Sequence, residues 1–354
     1  MNYDFTNRGK NFLSCYWFQY HKRFFPSFCI LSGTPDKCHF AFPLSKEGYL
    51  VVDINYQEQG YLSTIYKTDL RNNFRAEGVK PTACDTANRC SDVWGCNRAS
   101  GLKAAQVPPY HEPNDKTLHA LKDGNVKHEE IQEAVAKFDS SAQTEVLCDL
   151  RPFGFDMSGS ADLVFEHSTG EKCIGEIKTG SSFVIKLVKH HNSAKVEHAV
   201  QAALYAIALG LDSVHIVYYS KESNFIDKTE TGEMPEFHYY LDEPFGVWSN
   251  LKDEPNFDMT LRELALEEAE RLQSVSDLVL DDVVPGRWVK GFGTVDYPLD
   301  FGEKGQPWNC SFCSYSALCQ QMPTGAVSID DAPVYVQENW NPRQVISPTP
   351  KEAA

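Results

Sequence analysis

Apolar residues recur at helical spacing in three stretches of the chain and alternate, or run unbroken, in several shorter ones. Val196, Val200, Leu204, Ile207 and Ala208 follow a 3.6-residue repeat, which predicts a helix over 194–209 closed by Gly210. Val126, Ile131, Val135 and Phe138 predict an amphipathic helix over 121–136, with His128 on it and Gly124 one turn earlier leaving room for close backbone approach. A third helix over 260–272 begins with Thr260 and Glu263 at capping-box spacing. Residues 144–150 and 160–166 read as paired strands around a turn-rich 154–159, and 172–178 reads as a third strand after the turn at 168–170. Val214 to Tyr219 is β-rich and suits a sheet interior. The order helix, three strands, helix, strand implies an α/β fold with a central mixed sheet flanked by helices.

Outside this block the pattern is weaker. Residues 1–83 hold strand-like pieces such as Tyr49 to Ile54 and read as an N-terminal extension or small accessory domain. The aromatic stretch Phe12 to Phe28 is broken by His21, Lys22 and Arg23, so it suits a buried helix or strand better than a membrane anchor or a secretory signal. A polar loop with Pro108, Pro109 and Pro113 precedes the 121–136 helix. The tail over 323–354 carries Pro333, Pro342, Pro348 and Pro350 without periodicity and reads as a flexible or surface-wrapping end.

The 354 residues carry a formal net charge of −16, which argues against a protein that coats duplex DNA by charge alone. Negative charge concentrates over 222–282, whereas Lys172, Lys178, Lys186, Lys189 and Lys195, with His190, His191 and His198, suggest a local basic path. Eleven cysteines in a chain of this size suit a cytoplasmic or other intracellular reducing compartment, with some thiols serving as ligands, better than a disulfide framework. A viral or phage origin is compatible with that placement. Cys148 and Cys173, in apolar strand-like runs, are expected to be inert core residues.

Two constellations carry chemistry. Asp162 and Glu176 lie on neighbouring predicted strands, and Glu176 and Lys178, two apart, share one strand face. Ile177 between them points the other way and still offers its carbonyl oxygen. With His128 these groups would hold a hard divalent cation, Mg²⁺ or, given the imidazole, Mn²⁺. Lys178 would orient or deprotonate the attacking water, and Gln201 and Tyr205, four apart on one helical face, could hold Lys178 or a phosphate from above. The second constellation is Cys310-x2-Cys313-x5-Cys319, three thiolates in need of a fourth. Cys96 is the first choice, with Cys84 and Cys90 as alternatives, and both zinc and an iron-sulfur cluster satisfy four thiolates.

Taken together, Gly124-x3-His128, Gly159-Ser-Ala-Asp162, Glu176-Ile-Lys178, Gln201-x3-Tyr205 and the closing cysteine triplet resemble the PD-(D/E)XK nuclease superfamily. The resemblance is to its RecB-like branch, which includes Cas4 and AddB-type nucleases. It implies a restriction-endonuclease-like core over about 84–322 with a [4Fe-4S] clasp, and metal-dependent DNA exonuclease activity on single strands or free ends. A structure-specific endonuclease on the same core, or a non-catalytic DNA-binding assembly subunit, are the alternatives it leaves. Recombination or replication proteins are the partners it suggests. No Walker A pattern is present, so no helicase motor is expected.

Overall fold

A computed structural model describes residues 86–110, 115–224, 226, 228–290, 296–298, 310 and 313–342, together with three strands nearer the N-terminus. Those strands belong to a unit spanning Met1–Thr64, in which β1 (Cys29–Ser32), β2 (Cys38–Leu44) and β3 (Gly48–Ile54) form an antiparallel sheet in that order. The strand expected at Tyr49 to Ile54 is β3. The aromatic stretch Phe12 to Phe28 and Cys84 lie outside the described residues.

The second unit, Ile65–Ala354, is organised by a six-stranded mixed sheet. Its strands are β4 (Asn88–Arg89), β5 (Gln143–Asp149), β6 (Met157–Glu166), β7 (Lys172–Gly180), β8 (Ser213–Ser220) and β9 (Glu236–Tyr240). β6 pairs antiparallel with β5 and β7, and parallel with β4. β7 and β8 are parallel, and β9 closes the edge antiparallel to β8. Every residue of β8 is buried, as a central strand covered on both faces requires.

Helices cover the sheet: α1 (Asn97–Ala104), α2 (Asp115–Phe138), α3 (Ser182–His191), α4 (Val196–Leu209) and α5 (Leu261–Leu280). Side chains of neighbouring strand residues point to opposite faces. Lys178 reaches Gln201 of α4, whereas Thr179 lies against Gly124 of α2, so α2 and α4 pack on opposite faces. A Cβ at Gly124 would stand 3.2 Å from Thr179 Oγ1, so the close approach expected there is made.

Several boundaries differ from the sequence pattern for local reasons. α2 starts at Asp115 rather than near 121; Ile131 and Val135 are fully buried, while Val126 and Phe138 are each 42% exposed, so its apolar stripe is narrower than the spacing suggested. β6 begins at Met157, inside the stretch expected as turn, because Asn88 and Arg89 supply a parallel partner for it. α3 was not anticipated: its apolar positions Ile185, Leu187 and Val188 are buried between lysines and histidines that mask the pattern. α5 starts at the expected capping box, in which Glu263 N–H donates to Thr260 Oγ1 at 3.2 Å, and continues to Leu280.

The C-terminal part folds back onto α1 and α5. β10 (Val283–Val284) pairs with β13 (Val327–Ser328), and β11 (Trp288–Lys290) pairs with β12 (Asp296–Pro298). Short helices α6 (Ser316–Cys319) and α7 (Val334–Asn339) complete it. Leu318, Met322, Val327 and Val336 join Leu102, Val279 and Val284 in a second apolar cluster. The segment expected as a tail is therefore packed as far as α7. Among the described residues no helix is long and apolar enough to cross a membrane.

A buried ion pair ties the start of α1 to α5. Glu268 Oε1 accepts from Trp94 N–H at 2.6 Å and from Arg271 Nη2 at 2.5 Å, while Arg271 Nη1 donates to Asn97 Oδ1. Breaking one partner of such a pair leaves an uncompensated charge, typically costing about 3–5 kcal/mol. Glu268→Ala should therefore lower the unfolding free energy measured in urea by an amount of that order, and a change of only a few tenths of a kcal/mol would show that the pair does not hold this segment.

Candidate functional site

The sheet opens where the predicted carboxylates lie. β7 pairs with β6 only as far as Leu163 opposite Gly175, and β4 takes the same edge of β6 at Met157 and Ser158. Asp162 and Glu176 are the next residues after that last pair, at the point where the strands part. The backbone N–H of Ile177 donates to Asp162 Oδ2 at 2.7 Å, so a side chain replaces the missing ladder partner.

Around this opening the structure brings the predicted hard-ligand group together. His128 Nδ1 lies 3.5 Å from Asp162 Oδ2, and Lys178 Nζ lies 2.5 Å from Glu176 Oε1. Lys178 also donates to Gln201 Oε1 at 2.8 Å, and Gln201 Nε2 donates to the Tyr205 hydroxyl at 2.9 Å. Gln201 thus presents its acceptor to the ammonium and its donor to the phenol. Tyr205 approaches β6 closely: a Cβ on Gly159 would lie 2.6 Å from its Cε1.

Electrostatics follow from burial. Glu176 is 2% exposed, and desolvation pushes its carboxyl above the usual carboxylate range against the opposing pull of Lys178. Its Oε2 atom is buried and has no hydrogen-bond partner. Burial alone would lower the His128 imidazole, but the Asp162 and Glu176 carboxylates outweigh it and raise His128 above its ordinary value.

Gln132 and Glu145 belong to the same network and were not among the residues singled out from sequence. Gln132 Nε2 donates to the Asp162 carbonyl at 2.9 Å and to Glu145 Oε1 at 2.8 Å. Glu145 has φ +51°, and the β5–β6 register passes over it between Thr144 and Val146. The signal for Gln132 was its position one turn after His128 on α2. Nothing in the sequence marked the irregular backbone of Glu145.

The basic path expected from Lys189, Lys195 and the nearby histidines is largely neutralised. Lys189 pairs with Glu233 and Lys195 with Glu197. His191 stacks on Trp248 at 4.6 Å, and His198, hydrogen-bonded to the Tyr218 hydroxyl at 2.8 Å, is held well below its ordinary pKa by burial and by Lys178 and Lys195. The charge pattern misled because Glu233, distant in sequence, folds against Lys189, while Glu197 two residues on pairs with Lys195.

Cys96 caps the N-terminus of α1 and lies in the neighbourhood of Cys310, Cys313 and Cys319. Burial pushes Cys310 up to about 11, reinforced by Cys96, Cys319 and Cys313, and burial also raises Cys313 and Cys319, with Cys96 adding to both. Cys90 lies instead in the main core with Cys148, and Cys84 lies outside the described residues. Arg98, only 1% exposed, donates to Cys319 Sγ at 3.5 Å and to the carbonyls of Pro285, Pro323 and Gly325. A further group of potential metal ligands, Cys173, His215 and His238, has donor atoms within 4.8 Å of one another.

The family model described as "PD-(D/E)XK nuclease superfamily" matches residues 83–320. No curated relative matches the chain. The solved structure titled "Crystal structure of SSO0001" is 14% identical, covering 75% of this chain and 96% of that one, with a TM-score of 0.36. The match to the family model spans the α/β unit from before β4 to just past α6, and by it the chain belongs to the PD-(D/E)XK nuclease superfamily.

Proposed function

We propose that this chain is a divalent-cation-dependent deoxyribonuclease of the RecB-like, Cas4/AddB-like branch, removing nucleotides from single-stranded DNA or DNA ends. The observation that carries this reading is the buried, unpartnered Oε2 of Glu176 in a site whose other polar groups are ordered around it. A carboxyl oxygen left without a partner in the protein interior is costly, and a cation, which would also favour the ionised form, is the partner that fits. Asp162, Glu176, His128 and the Ile177 carbonyl would hold Mg²⁺ or Mn²⁺, a hard-oxygen set with one imidazole. When bound, such a cation polarises a phosphoryl oxygen and makes a bound water more acidic.

The remaining residues have distinct tasks. Lys178, fixed by Glu176 and Gln201, orients the attacking water and meets negative charge developing on the phosphate. Gln201 and Tyr205 position that ammonium rather than touch the reacting atoms. Hydrolysis breaks one phosphorus–oxygen ester bond and forms one to the water oxygen, and the departing sugar hydroxyl takes a proton. The nuclease domain in this reading spans 84–322.

The thiol centre is read as a [4Fe-4S] clasp held by Cys96, Cys310, Cys313 and Cys319. Arg98 supports it: this buried guanidinium is held by carbonyls and a cysteine sulfur, and no carboxylate among the described residues pairs with it. Thiolates ligating a cluster supply the missing counter-charge.

Linear, end-labelled single-stranded DNA with Mn²⁺ should be shortened progressively while circular DNA resists. Lys178→Ala should reduce the rate by a factor of at least ~10² without changing the circular dichroism spectrum or metal content of the protein. Full activity in that variant would defeat the assignment, and cutting of circles would replace exonuclease with endonuclease action.

Anaerobically purified protein should contain iron and acid-labile sulfide in equal amounts, and Cys96→Ala should lose both. Stoichiometric zinc in the thiol centre instead of iron would overturn the cluster.

A further inference from the structure

The sheet carries a second concentration of ligand atoms on the face opposite Lys178. Cys173 precedes Lys178 by five residues on β7, an odd separation that puts their side chains on opposite faces. His215 of β8 and His238 of β9 are direct cross-strand partners, and their rings stack with centroids 4.1 Å apart. Cys173 lies beside them, with a ligand atom from each of the three residues within 4.8 Å of the others. Cys173 and His215 are buried, and His238 is partly exposed. The expectation that Cys173 is merely a core residue does not account for this setting.

Two details distinguish the group from a stack of histidines in a core. The Nε2 atoms of His215 and of His238 are both buried and have no hydrogen-bond partner. Nδ1 of His215 lies 2.9 Å from a carboxylate oxygen of Glu236, itself on β9. When Nδ1 carries the proton and donates it to that carboxylate, Nε2 presents its lone pair, the arrangement by which carboxylates orient metal-bound imidazoles. Donors at roughly 2.0–2.3 Å from a tetrahedral zinc ion stand about 3.3–3.8 Å apart, so side-chain adjustment over a fixed sheet suffices to close the group.

We infer that Cys173, His215 and His238 form a binding site for a zinc-class transition-metal ion, separate from the hydrolytic centre. One thiolate with two imidazoles selects zinc or its soft relatives over Mg²⁺. His167 stands beside the group without belonging to it: its ring centroid lies 5.1 Å from that of His215 and 5.6 Å from that of His238. Glu236 is a positioning residue acting through His215. The ion ties edge strand β9 to β8 and β7 and gives the sheet a fastening that does not depend on the thiol centre. Nothing in this inference relies on the nuclease assignment.

The test compares zinc per chain in the full-length protein and its variants after saturation with zinc and removal of the excess, with iron measured in the same samples. Wild type should hold one more zinc per chain than His238→Ala or Cys173→Ala, with iron unchanged in both. Glu236→Gln should weaken that zinc by about 10–100-fold. His238 reaches the surface, so its variant tests the site without a core substitution, and circular dichroism checks that both variants fold. Chelation should lower the melting temperature of wild type and leave that of His238→Ala unmoved. Equal zinc content in wild type and both folded variants, or equal chelator sensitivity, overturns the site.

Discussion

The larger unit depends on a carboxylate placed where burial disfavours it. Glu176 stands on a strand whose neighbour β8 is buried throughout, and removing an ion of its size from water carries an effective penalty of several kcal/mol. Lys178, two residues on and on the same face, offsets part of that cost, and Gln201 and Tyr205 of α4 hold the ammonium in place. The parting of β6 and β7 is the backbone counterpart of this arrangement. A fully paired ladder would direct the Ile177 N–H to another strand, whereas here it goes to Asp162, and the two carboxylates flank an opening.

Charge compensation repeats at the other end of the unit. Arg98 is buried among carbonyl oxygens and the Cys319 sulfur, and the Glu268 and Arg271 pair fixes the chain on either side of Cys96. α5 therefore has two tasks, packing against α4 and anchoring the segment that carries Cys96. The second apolar cluster joins α1, the end of α5 and the segment around Cys319, so this end of the unit rests on a small core of its own.

The helices and strands legible in the sequence were those with a sustained apolar repeat or an unbroken apolar run, and two helices also carried local signals at their ends. Thr260 and Glu263 marked the start of α5, and Gly210, at φ +66°, marked the end of α4. α3 escaped because lysines and histidines interrupt its buried positions, and the start of β6 escaped because its partner, Asn88 and Arg89, is supplied from nearly seventy residues away. The spacing of Asp162, Glu176, Lys178, Gln201 and Tyr205 reads directly from strand and helix periods. Gln132 and Glu145 enter the same network through a backbone irregularity that no period encodes. The Cys173 group was equally hidden, since its three residues come from three strands brought into register only by the sheet.

The same distinction explains the acidic balance. Lysines near the opening looked from sequence like an exposed basic path, but Lys189 and Lys195 are paired with Glu233 and Glu197 and contribute little net field. A chain of net charge −16 with its cations so engaged draws little on diffuse attraction to phosphates. In the proposed nuclease the attraction must then be local. A divalent cation between Asp162 and Glu176 would convert an acidic opening into one that accepts a phosphate, and Lys178 would add the only further positive charge of that group among the described residues apart from His128. Substrate binding and bond cleavage would in that case depend on the same ion, which couples affinity for DNA to occupancy of the hydrolytic site.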